Sequence, residues 1–87
     1  MSVILFLASK SDEVFAKPIL ETLGEFGVKA ETVILSAHKV PEKVIEKVAE
    51  LNRRTDPTVI ITVVGMSNGL SGVVAGSSVH PVIACPN

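Results

Sequence analysis

An α/β domain built on a parallel sheet is predicted by three observations. Runs such as Val3-Ile4-Leu5-Phe6-Leu7 and Val59-Ile60-Ile61-Thr62-Val63-Val64 are continuously apolar, the pattern of strands covered on both faces rather than of half-exposed ones. Between these runs lie segments whose apolar residues recur at helical spacing. The connections are short, so the order βαβαβαβ predicts strands joined by right-handed crossovers within one domain spanning residues 1–87.

Strand one covers residues 3–7 and runs into Ala8-Ser9-Lys10-Ser11-Asp12, where short polar side chains can close a turn and cap a helix. Phe15, Ile19, Leu23 and Phe26 then form an apolar stripe that stops at Gly27, a residue suited to a left-handed helix end. Pro18 interrupts the stripe, so this first helix is either kinked there or begins near Lys17. Residues 29–35 read as strand two, and Pro41 opens a second helix that buries Val44, Ile45, Val48 and Leu51. Arg53 and Arg54 suit the negative pole at that helix's end. Strand three spans residues 58–64, a small-residue helix carrying Gly72 and Gly76 follows, and strand four covers residues 80–84.

Composition narrows the functional classes. Eight basic against nine acidic residues give a net charge of -1, and the chain contains neither Trp nor Tyr, so there is neither a basic field nor a stacking platform for nucleic acid. The apolar runs fall well short of the roughly 20 residues a membrane helix needs. A single Cys85 cannot form an internal disulfide, and no N-terminal targeting pattern is evident, which points to the cytoplasm. Two His and one Cys, widely separated, argue against a metal site.

Each strand-to-helix loop carries small polar residues: Ser9, Ser11 and Asp12; then Ser36, Ala37, His38 and Lys39; then Ser67 and Asn68 between Gly65 and Gly69-Leu70. In a parallel sheet these loops share the carboxyl edge, where ligands bind in open α/β folds. Hydroxyls and N–H groups there suit a phosphate, Asp12 a sugar hydroxyl, and His38 proton transfer, while Gly65 and Gly69 allow close backbone approach. Plainer roles stand beside these. Ser11 or Asp12 can be a helix N-cap, Lys39 a solvated charge, and Gly69, Gly72 and Gly76 a helix-packing surface. His80, before Pro81, reads as structural or surface. No Walker loop and no Gly-x-Gly-x-x-Gly after strand one is present.

Taken together, Ala8-Ser9-Lys10-Ser11-Asp12, Phe26-Gly27-Val28, Ser36-Ala37-His38-Lys39, Ser67-Asn68-Gly69-Leu70 and Cys85-Pro86 resemble the PurE family of purine biosynthesis, the 5-aminoimidazole ribonucleotide (AIR) carboxylases and related mutases. The resemblance implies a flavodoxin-like three-layer α/β/α sandwich. It implies carboxylation of AIR at C4 to carboxyaminoimidazole ribonucleotide (CAIR), with carbon dioxide as co-substrate and without ATP, biotin or metal. On this likeness His38 is the proton carrier, Ser9, Ser11 and Lys39 hold the ribotide phosphate, and Asp12 holds the ribose. Ser36, Ala37, Ser67, Asn68, Gly69 and Leu70 frame the base and carboxylate. Lys39, where the mutases carry Arg, looks like the branch that uses carbon dioxide directly. Ala8 stands where the family usually has Gly, and Met66 where this branch usually has Arg.

The family domain continues past the position of Asn87 with further strands and helices, including a C-terminal helix that builds an octamer. The likeness therefore makes these residues its N-terminal part, stopped after the fourth strand. A sheet stopped there exposes an edge and apolar surface, which predicts a homo-oligomer. A catalytically silent ribotide-binding or assembly module, the mutase reaction, and a related carboxylase acting on a pyridine nucleotide are the rival readings, the last disfavoured by Ser36-Ala37-His38-Lys39.

Overall fold

The computed structural model describes residues 2–36, 39–64 and 69–86. In chain order it contains β1 (Ser2–Leu7), a single 3₁₀ turn (Lys10–Asp12), α1 (Glu13–Glu25), β2 (Ala30–Ile34), α2 (Pro41–Asn52), β3 (Thr58–Val64), α3 (Gly69–Ser77) and β4 (Val82–Pro86). All strand pairs are parallel, in the order β2-β1-β3-β4. The predicted α/β class with a parallel sheet is observed.

The two middle strands carry the core. Val3, Ile4, Leu5, Phe6 and Leu7 of β1 are all buried, because β1 is flanked by β2 and β3 and covered on both faces. Ile4, Phe6, Ile60 and Val64 point to one side, where Val44, Val48 and Leu51 of α2 and Leu70 and Val74 of α3 cover them. Val3, Leu5, Leu7 and Val63 point to the other and meet Ala16, Ile19 and Leu23 of α1. The result is a three-layer sandwich, with α1 on one face and α2 and α3 on the other.

Four details differ from expectation. α1 begins at Glu13 and runs through Pro18 without ending there. The N–H that Pro18 lacks would have reached the carbonyl of Val14, a residue 74% exposed, where water can substitute. The buried stripe of α1 is Ala16, Ile19 and Leu23, whereas Phe15 and Phe26 are exposed; small Ala16 lets the helix lie close on the sheet. In α2, Ile45 is 51% exposed, because Val44, Val48 and Leu51 alone face the sheet. β4 starts at Val82 rather than residue 80, because its register with β3 begins at the Ile60–Val82 pair while His80 turns away to the end of α2.

α1 stops where expected. Gly27 has φ +71°, its N–H donates to the Gly24 carbonyl at 3.0 Å, and the Val28 N–H reaches the Leu23 carbonyl at 2.9 Å. This is a Schellman closure, sealed by Val28 and Leu23 packing on the same side of the sheet.

Candidate functional site

Because every strand is parallel, the loops after β1, β2 and β3 leave from one edge. Register aligns their exits: Leu7 of β1 pairs with Ile34 of β2 and with Val63 of β3, and the Leu35 N–H donates to the Leu7 carbonyl at 3.0 Å. Connections from β1 lead to opposite faces from those of its neighbour β3, so the crevice between the β1 and β3 loops is the topological switch point where ligands of such sheets bind.

The first loop is held by its own side chains. The Ser9 N–H donates to Asp12 Oδ2 at 3.0 Å, Ser9 Oγ donates to the same oxygen at 3.3 Å, and the Asp12 N–H returns to the Ser9 carbonyl at 3.1 Å. Asp12 is buried at 6% exposure. It therefore supports the turn from below, in the reach-back position of a capping box, which a sequence reading of simple N-capping does not anticipate. Ser9 Oγ and Ser11 Oγ lie 2.7 Å apart and exposed. Beside them are the first N–H groups of a helical segment, which lack intrahelical acceptors, and the exposed Lys10. Paired hydroxyls, N–H groups and an ammonium form a surface suited to an oxyanion.

In the second loop, Ser36 is half-buried and its Oγ accepts from the Lys39 N–H at 3.3 Å, while its carbonyl accepts from the Val40 N–H at 2.9 Å. These bonds turn the chain into α2 and leave the Lys39 side chain exposed. Ala37 and His38 lie outside the described residues, as do Gly65, Ser67 and Asn68 of the third loop. Gly69 and Leu70 form the first turn of α3. The Leu70 side chain is buried in the core, so what it can offer a ligand is its backbone.

A cavity of about 590 Å³ lies between α1 and β2, lined by Leu7, Val14, Ala16, Leu20, Thr32 and Ile34, with Glu13 and Lys17 at its rim. It adjoins the first loop but takes in none of Ser9, Ser11, Asp12, Ser36 or Lys39. Two perturbed carboxyls lie at the opposite end of the sheet. The Arg54 hydrogen bond, aided by Lys47, holds the Glu31 carboxyl below the usual range, and the Ser2 hydroxyl does the same for Asp56.

Asn52 is the residue that the sequence did not single out, and His80, read there as structural or surface, has a structural partner. Asn52 Nδ2 donates to the Ser77 carbonyl at 2.8 Å, its Oδ1 accepts from the Val79 N–H at 2.9 Å, and His80 Nε2 lies 2.7 Å from the Leu51 carbonyl. These partners are separated by 25 to 29 positions, so no local pattern announces them. No described helix is long and apolar enough to cross a membrane.

A family model described as AIR carboxylase matches residues 2–87. The phosphoribosylaminoimidazole carboxylase of Archaeoglobus fulgidus is 43% identical over 86 residues, covering 99% of this chain and 47% of that protein. A probable multifunctional protein ADE2 of Caenorhabditis elegans is 42% identical over 84 residues, covering 97% of this chain and 20% of that protein. Among solved structures, Treponema denticola PurE superposes with a TM-score of 0.95 at 38% identity, over 99% of this chain and 54% of that one. The chain thus spans about half the length, or less, of the relatives it matches.

Proposed function

This chain belongs to the AIR carboxylase family, and on that premise we propose that the protein carrying it adds carbon dioxide to C4 of 5-aminoimidazole ribonucleotide in purine biosynthesis. The observation that carries the reading is the family match over the whole described sheet, with the Ser9–Ser11 hydroxyl pair at its switch-point edge.

The chemistry asks little of a cofactor. The amino group makes C4 of the imidazole enamine-like, so its electron pair attacks the carbon of CO₂ and forms a C–C bond. The C4 proton must then leave to restore the aromatic ring. His38 is the proposed acceptor of that proton, a role worth about 10²–10⁴-fold in rate. Ser9, Ser11 and Lys39 bind the phosphate and Asp12 the ribose. Ser36 and Ala37, with Gly65, Ser67, Asn68, Gly69 and Leu70, frame base and carboxylate. Atoms and electrons balance with AIR, CO₂, CAIR and one proton, and the proposed reaction uses no ATP, biotin or metal. We place the enzyme in the cytoplasm as a homo-oligomer, as the family resemblance implies.

The full-length protein incubated with AIR and bicarbonate should form CAIR, and His38→Asn should lower kcat by about 10²-fold or more while AIR still binds. Binding by the wild type without turnover identifies a silent ribotide-binding module instead.

A further inference from the structure

α2 and α3 lead away from the second and third loops of the site, and their far ends are tied to each other. Asn52, the last residue of α2, donates its side-chain amide to the Ser77 carbonyl at 2.8 Å and accepts from the Val79 N–H at 2.9 Å. Its carboxamide therefore pairs with the end of α3 as a backbone peptide would. His80, just beyond α3, returns the favour through Nε2, 2.7 Å from the Leu51 carbonyl near the end of α2. Since that carbonyl can only accept, Nε2 carries the proton. Ser78 fixes the connecting turn: its Oγ accepts from the His80 N–H at 2.9 Å and donates to the His80 carbonyl at 3.1 Å.

Each helix end thus has a carbonyl that accepts from a side chain at or just beyond the end of the other helix: that of Ser77 from Asn52, and that of Leu51, which also takes the Arg54 N–H at 3.0 Å, from His80. α3 is seated on the core through its N-terminal and middle turns, by Leu70 and Val74 with the partly buried Val73 beside them. It has nine residues rich in Gly and Ser, and its described fully buried side chains are Leu70 and Val74. A Cβ added at Gly76 would meet nothing within 4 Å, so the C-terminal turn of α3 is not held by close packing there. A helix of this length spans about 13 Å, so a pivot of roughly 5° at one end moves the other by about 1 Å. Errors of that size at a reacting centre cost about 10²-fold in rate.

We infer that Asn52 and His80 are positioning residues, a reciprocal clasp that sets the first turn of α3, Gly69 and Leu70, against the β2–α2 loop at the opposite end of the sheet. The inference rests on the proposed carboxylase reading for its kinetic consequence but not for its structural one. In the full-length protein, Asn52→Leu should speed amide exchange at residues 69–74 and lower kcat/KM for carboxylation by about tenfold or more. AIR affinity without bicarbonate should fall by less than kcat/KM does, because the phosphate contacts assigned to Ser9 and Ser11 lie outside the clasp, whereas Lys39, Gly69 and Leu70 lie in the parts it positions. His80→Leu should act in the same direction, and His80→Gln, whose amide can still donate to the Leu51 carbonyl, should restore both readouts; this pair also decides the matter if Asn52→Leu does not fold. A lower Tm with unchanged kcat/KM and unchanged exchange at residues 69–74 overturns the clasp. Should wild-type protein not carboxylate AIR, the functional reading fails, and exchange alone decides whether Asn52 positions α3.

Discussion

Asp12 has two duties. It is proposed to hold the ribose, yet its buried carboxylate already takes the Ser9 N–H and hydroxyl and so shapes the loop that presents the Ser9–Ser11 pair. The two duties separate by substitution. Asp12→Ala removes the reach-back acceptor and should cost about 1–2 kcal/mol in urea unfolding, the range of a lost cap. Asp12→Asn keeps an acceptor for Ser9, so it should fold nearly as well while raising the KM for AIR severalfold. Glu31 offers the contrasting case of a charge with no place near the chemistry. Arg54 donates to it at 2.9 Å and Lys47 stands 3.5 Å away, lowering its pKa. A carboxyl depressed in the folded state stabilises above its unfolded value near pH 4.3, and that contribution disappears as pH falls through the folded value. With its side chain 46% exposed, the effect is small. Glu31→Gln should lower stability at pH 7 in low salt by less than about 1 kcal/mol, and in urea titrations that gap should close as pH falls below the unfolded carboxyl's value.

At the scale of elements, the glycines near the end of α1 carry opposite expectations. Neither Gly24 nor Gly27 has an atom within 4 Å of a would-be Cβ, so crowding decides nothing at either. Gly27 lies at φ +71°, where an L side chain costs about 1–2 kcal/mol, while Gly24 is inside the helix, where Ala is better by up to about 1 kcal/mol. Thermal melts should therefore place Gly27→Ala below wild type and Gly24→Ala above it. The left-handed stop was legible in sequence because it depends on one residue's backbone freedom. The buried face of α1 was not: Phe15 and Phe26 are the larger hydrophobes, but helix rotation is set by how closely Ala16 can approach the sheet. The bounds of β3 were legible from its continuous apolar run between Pro57 and Gly65. Those of β4 were not, because the turn before it is fixed by Asn52 and Leu51 far away in the chain.

For the whole molecule, the parallel order and shared loop edge followed from the alternation of apolar runs and amphipathic segments, while the strand order β2-β1-β3-β4 is a tertiary fact that no local pattern specifies. The same order leaves β2 and β4 each with one neighbour among the described strands, and Ile34 and Ile83 are 40% and 52% exposed on them. Strand edges with exposed apolar side chains favour pairing with further polypeptide. That polypeptide can belong to the same chain or to another, so light scattering of the full-length protein is the test of the proposed homo-oligomer: it should give a mass at least twice that of one chain, and a strictly monomeric mass at micromolar concentration would contradict it.

The central place of β1 has a consequence for biogenesis. β1 is made before both of its neighbours, and its five buried residues, Val3 to Leu7, cannot be enclosed until α2 and β3 have followed. At about 5–20 residues per second, the roughly 60 residues between Leu7 and Val64 take on the order of 3–11 s to synthesise. During that interval a short, uncharged, β-prone segment is without its partners, the kind of segment that chaperones hold and that crowded refolding aggregates. The strand most protected in the finished sandwich is thus the one left unguarded longest on the ribosome.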